Sequence, residues 1–91
     1  MIAKRNLLAL TSPVNDYFLI RRHDWKAVGR RVRELRGFDT NQADLADMIG
    51  VAQSHVSAIE RGQKEPSATI LLRIAKRYGK TLEWLLTGVG K

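Results

Sequence analysis

Glycines at positions 37, 50, 62, 79 and 88 divide the chain after Asp24 into short segments, each with apolar residues three, four or five positions apart. This periodicity constrains the fold more than any other feature. Residues at such spacings share one face of a helix, whereas alternation by two would mark a strand. Helices this short are marginal alone and are stabilised by packing their apolar faces on one another. The chain from Asp24 onward therefore reads as five helices joined by short loops, an all-α domain without internal repeats.

Cap residues set the boundaries. Asp24 is a good N-cap for a helix with Trp25, Val28, Val32 and Leu35 on one stripe, stopped by Gly37. Asn41, with Asp44 three residues on, caps a second helix whose buried face is expected to be Leu45, Met48 and Ile49. Val51, Val56 and Ile59 form the inner face of a third, between Gly50 and Gly62. Ser67, just after Pro66, caps a fourth with Ile70, Leu71, Ile74, Ala75 and Tyr78 inside, and Thr81 a fifth that buries Leu82 and Leu85 or Leu86. Trp25, Tyr78 and Trp84 read as core or interface anchors. Arg30, Arg31 and Arg36 read as a solvated face, Arg73, Lys76, Arg77 and Lys80 as the charged outer face of the fourth helix, and His23 as a surface residue.

Residues 1–23 form an arm of different character. "IAKRNLLAL" suits a short helix, "TSPVND" a turn around Pro13, and "YFLIRR" a short strand. A lone strand needs a partner, so the arm is either partly disordered or paired, its copy in a dimer being one candidate. Residues 24–88 form the helical domain and 89–91 a tail.

Sixteen Lys and Arg against nine Asp and Glu leave a net charge of +7. In a small domain this points to a polyanionic partner, most commonly nucleic acid. The absence of cysteine excludes disulfides and thiolate zinc sites. No apolar run approaches the ~20 residues of a membrane span, and Leu7–Leu10 is too short for the apolar region of a signal peptide. The expected location is cytoplasmic, with no membrane association. No nucleophile–base set, metal cluster or phosphate-binding loop is visible, so the expectation is a non-enzyme without cofactor or metal.

The segment "GVAQSHVSAIERG", Gly50 to Gly62, stands apart. Away from its apolar stripe it carries Gln53, Ser54, His55, Ser57 and Ala58, short and mostly uncharged side chains in a basic protein. A solvated face would carry Lys and Glu. A face that approaches base edges has reason not to. Glutamine pairs bidentately with adenine N6 and N7, serine adapts to a donor or an acceptor, and an alanine methyl packs on a thymine methyl. A lysine would add affinity that is indifferent to sequence.

The surrounding motifs carry a specific resemblance. "Q-x-x-L-A-x-x-I-G-V" runs from Gln42 to Val51 and "V-S-x-I-E-R-G" from Val56 to Gly62. "P-S" follows at Pro66, then "L-x-x-I-A-x-x-Y" from Leu71 to Tyr78 and "L-x-W-L-L-T-G" from Leu82 to Gly88. Over Trp25 to Gly88 the chain resembles the lambda-repressor-like (Cro/C1-type, XRE) helix-turn-helix family. The resemblance implies a five-helix DNA-binding domain whose recognition helix starts near Ala52, and usually a homodimer on a palindromic operator. It implies base contacts by Gln53, Ser54, Ser57 and Ala58, and phosphate contacts by Gln42, His55, Gln63 and Lys64. It also implies an internal ion pair between Arg33 and Glu60. Ala52 departs from the Ser or Thr expected as N-cap.

The function expected is sequence-specific binding of double-stranded DNA as a repressor-type transcriptional regulator, associated with the nucleoid. The alternative is a protein-interaction module, such as an antitoxin or adaptor, that uses the same fold mainly to hold a protein partner.

Overall fold

The computed structural model describes residues 23–91, where all regular structure is helical. The helices are α1 (Trp25–Arg36), α2 (Gln42–Ile49), α3 (Gln53–Glu60), α4 (Ala68–Tyr78) and α5 (Leu82–Thr87). The five-helix expectation holds. The helix, turn and strand expected within residues 1–22, and a dimer contact there, lie outside the described residues.

Four of the five N-caps work as their side chains predict. Asp24 Oδ1 accepts from the Lys26 and Ala27 N–H groups at 3.1 and 3.2 Å. Asn41 and Asp44 form a reciprocal capping box, with the Asp44 N–H on Asn41 Oδ1 at 2.8 Å. Ser67 and Thr81 accept from Ile70 N–H and Trp84 N–H. Each such bond satisfies a first-turn donor that has no partner within the helix. Ala52, at the head of α3, makes no side-chain cap bond.

The core collects one face of every helix. Val28 and Val32 meet Leu45, Ile49, Val56, Ile59, Ile74 and Leu85, all essentially inaccessible to solvent. Each large aliphatic buried this way contributes about 1.5–3 kcal/mol. Trp25, Leu35, Tyr78, Trp84 and Leu86 pack partly buried around this centre. Met48 corrects the expected inner face of α2. It is exposed, and Ala46 is buried instead. At roughly 100° per residue, Leu45, Ala46 and Ile49 span one arc and Met48 lies outside it. Its Sδ accepts instead from Arg77 Nε at 3.0 Å.

Three arginines expected on solvated faces are ties between elements. Arg31 Nη1 donates to the Leu85 carbonyl at 3.1 Å, joining α1 to α5. Arg73 Nη1 donates to the Ile49 carbonyl at 2.9 Å, joining α4 to the end of α2. Arg36 Nη1 donates to the Thr40 carbonyl across the α1–α2 turn. Helix ends leave carbonyls without intrahelical partners, and arginine satisfies them while its charge stays near water. Lys80, expected on the outer face of the fourth helix, lies instead beyond its end at Gly79 and is half-buried, with Nζ 4.7 Å from the Trp84 ring centroid. Among the described residues no helix is long and apolar enough to cross a membrane.

Candidate nucleic-acid interface

The turn between α2 and α3 is built on Gly50. Its φ of 76° is left-handed, where a side chain would be strained. The Gly50 and Val51 N–H groups both donate to the Ala46 carbonyl, at 2.8 and 3.0 Å, closing the end of α2. Val51 is half-buried and the chain enters α3 at once. Two short helices are thereby held at a fixed angle, and the second presents its outer side.

On α3, Val56, Ile59 and Glu60 are buried. Ala52, Gln53 and Ser54 are exposed, and His55, Ser57 and Ala58 are half-buried. Gln53 and Ser54 make no side-chain hydrogen bond among the described residues, so their donors and acceptors are available to a ligand. The outer face of α3 is therefore uncharged as far as Arg61, and it is rigid because its back is in the core. His55 is less open than Gln53 and Ser54. Its Nε2 is buried with no hydrogen-bond partner among the described residues, which leaves Nδ1 for any outward contact.

Glu60 organises the junction of the first three helices. Arg36 grips both of its carboxylate oxygens, Nε to Oε2 at 2.7 Å and Nη2 to Oε1 at 2.9 Å. The paired side chains are 14% and 3% exposed. The expected ion pair with Arg33 is corrected: Glu60's partner is Arg36. On the helical wheel Arg36 falls within the arc of Val28, Gly29 and Val32 that α1 turns inward, and Arg33 falls outside it, exposed. The hydrogen bond to Glu60 holds the Arg36 guanidinium pKa above its ordinary value, against the opposing effect of burial. Arg36 is thus a permanent cation at this junction.

Gln42 joins the same network. Its Nε2 donates to Glu60 Oε1 at 3.0 Å. A carboxylate can only accept, so the amide orientation is settled. Among the described residues one Nε2 hydrogen and Oε1 have no partner. Gln42 is the first residue of α2, where the first-turn N–H groups precede any intrahelical acceptor and favour a nearby anion.

The loop after α3 leaves in a fixed direction. The Gly62 N–H reaches the Ile59 carbonyl at 3.0 Å and the Gln63 N–H reaches Ala58 at 2.9 Å, the paired bonds of a Schellman stop. Gly62 has φ 72°, and a Cβ there would lie 2.7 Å from Lys26 Cα. Only a glycine lets this loop press on the start of α1. Gln63 and Lys64 stand exposed just beyond it.

Arg61 is the residue that sequence reasoning overlooked. Nη1 donates to Ser57 Oγ at 2.6 Å. Nε and Nη2 both donate to Gln63 Oε1, at 3.1 and 2.9 Å. The available signal was spacing, since Arg61 stands four residues after Ser57 and so above it on the same helix face. The structure therefore groups Arg36, Gln42 and Glu60 in one network and Ser57, Arg61 and Gln63 in another. Gln53, Ser54, Ala58 and Lys64 stand outside both. No group of three or more His, Asp or Glu is placed to hold a metal among the described residues.

A helix-turn-helix family model matches residues 30–85, well over half of the chain. The chain belongs to the lambda-repressor-like, Cro/C1-type helix-turn-helix family. Among curated members, an uncharacterized HTH-type transcriptional regulator of Bacillus subtilis, YgzD, is 37% identical over 59 residues, covering 60% of this chain and 89% of the relative. A second such regulator, from Methanocaldococcus jannaschii, is 40% identical over 42 residues, covering 46% of this chain and 64% of that one. Two solved helix-turn-helix structures share the fold. The P22 c2 repressor, determined in complex with a synthetic operator, aligns with TM-score 0.63 and 34% identity, over 67% of this chain and 94% of its own. The restriction-modification controller protein C.AhdI from Aeromonas hydrophila aligns with TM-score 0.62 and 33% identity, over 68% and 96%.

Proposed function

We propose that this helix-turn-helix protein is a sequence-specific, repressor-type transcriptional regulator that inserts α3 in the major groove of double-stranded DNA. The observation that carries this reading is the outer face of α3. Gln53, Ser54, Ser57 and Ala58 point away from a back held by Val56, Ile59 and the Arg36–Glu60 pair. A rigid helix with short uncharged side chains can approach base edges closely. Gln42 at the head of α2, His55 through Nδ1, and Gln63 and Lys64 after α3 flank that face and contact phosphates. Phosphate contacts fix the register and base contacts select the sequence.

The likeness to a repressor solved on its operator supports the same reading. So does the +7 net charge. By analogy the protein acts as a homodimer on a palindromic operator, in the cytoplasm at the nucleoid. Selection of bound sites from a random duplex library, followed by gel shifts of the selected site at two salt concentrations, tests it. The expected result is one enriched motif that outcompetes random duplex. Binding without selection, together with capture of a second protein, would favour the protein-interaction alternative.

A further inference from the structure

We propose that Arg61 sets the hydrogen-bonding sense of the C-terminal half of α3, so that Ser57 reads a base-edge acceptor and Gln63 donates to a phosphate oxygen. This rests on the reading of α3 as the base-reading helix and adds to it a rule for one position of the site.

A serine hydroxyl has one hydrogen to give and two lone pairs, and alone it accepts donors and acceptors alike. Here it is not alone. Arg61 Nη1 presents a cationic N–H to Ser57 Oγ at 2.6 Å. The oxygen is engaged on that side, and a second donor would have to approach it beside a positive charge. The hydroxyl hydrogen turns outward and Ser57 acts as a donor.

Gln63 is constrained more completely. Two N–H groups of Arg61 converge on its Oε1. Guanidinium donors can face only the carbonyl oxygen of the amide, so Nε2 with both hydrogens points away. Arg61 spends three of its five N–H groups in these bonds and keeps one on each terminal nitrogen. Among the described residues no carboxylate pairs with it. Among the described residues the only ion pair is Arg36–Glu60. Every group this cluster turns outward is therefore a donor next to a positive charge.

In the major groove that pattern favours guanine O6 and N7 and thymine O4; cytosine offers only its amino group, and adenine offers N7 only beside its N6 amino group, so both are disfavoured. Arg61 is a positioning residue here. It acts through Ser57 and Gln63, and lysine cannot replace it because the planar fork bridges two acceptors at once.

The test compares sites selected by the full chain with those selected by Arg61→Lys and Ser57→Ala, alongside thermal melts of all three. Wild type is expected to prefer G or T by about tenfold or more at one position of each half-site. Both variants should reduce that preference to under about threefold at the same position and leave the others in place. A purely structural role for Arg61 would weaken every position together, and that uniform loss would overturn the proposal. So would an Arg61→Lys motif identical to wild type, or relaxation at different positions in the two variants. A wild-type protein that enriches no motif would overturn the underlying reading of α3 and this inference with it.

Discussion

Glu60 is a carboxylate that the core accepts only because two other helices supply its donors. Arg36 from α1 takes both oxygens and Gln42 from α2 adds a third bond. Breaking a buried pair from one side leaves the other charge without compensation, at a cost of about 3–5 kcal/mol. Urea unfolding of Arg36→Ala and Glu60→Ala should show losses of that order, and Arg33→Ala should stay within about 0.5 kcal/mol as an exposed substitution. Equal losses for Arg33→Ala and Arg36→Ala would put the pair in the wrong place. The exposed residues of α3 respond in a different observable. Gln53→Ala should leave stability nearly unchanged and reduce discrimination at one base pair by about 1–3 kcal/mol. Lys64→Ala should weaken all sequences alike and lower the slope of log K against log salt by about one. Binding isotherms on the selected site and on single-base variants, at several salt concentrations, separate the two effects.

At the scale of elements, α1 and α3 touch backbone to backbone. A Cβ on Gly29 would lie 2.4 Å from the Ile59 carbonyl oxygen and 2.6 Å from that of Glu60. Neither atom can swing aside as a side chain could. Alanine normally favours a helix over glycine by about 1 kcal/mol, yet Gly29→Ala should destabilise on balance. Overpacking costs about 1–3 kcal/mol even where flexible side chains absorb it. The variant should melt below wild type and bind DNA more weakly, because α3 would be pushed off its seat. A higher melting temperature would mean that the two helices part easily. The head of α3 offers the opposite change. Ala52 already has the extended backbone of an N-cap, with φ −77° and ψ 153°, but no acceptor on its side chain. Ala52→Ser should stabilise the domain by about 1 kcal/mol, read as a raised melting temperature.

For the whole molecule, apolar periodicity and cap residues made the five helices legible in the sequence. Both are local properties, and the tertiary fold agrees with them. Met48 was misplaced because an eight-residue helix offers too few turns to fix the centre of its buried arc. The resemblance implies Arg33 as the partner of Glu60, but Arg36, three residues further along α1, is the arginine that falls within the buried arc. The roles of Arg31 and Arg73 depend on carbonyls at the ends of helices distant in sequence, which no local pattern reveals. Arg61 stands within V-S-x-I-E-R-G, but its significance lies in the two neutral acceptors it bridges.

The same scale carries the prediction on assembly. A single α3 can read only a few base pairs, too few to single out one site among the very many that a genome offers. A two-fold dimer repeats the reading on a second half-site, and both recognition helices meet the same face of the duplex only if the half-site centres lie about one helical turn, roughly 34–36 Å, apart. The selected motif should therefore be an inverted repeat with centres about 10 base pairs apart. Lengthening the spacer by half a turn should abolish cooperative occupancy, while a full turn should be tolerated better. Sedimentation of the protein with a single half-site and with the full site gives the stoichiometry. One protein on a full site, with affinity indifferent to the spacer, would mean that a monomer reads the DNA.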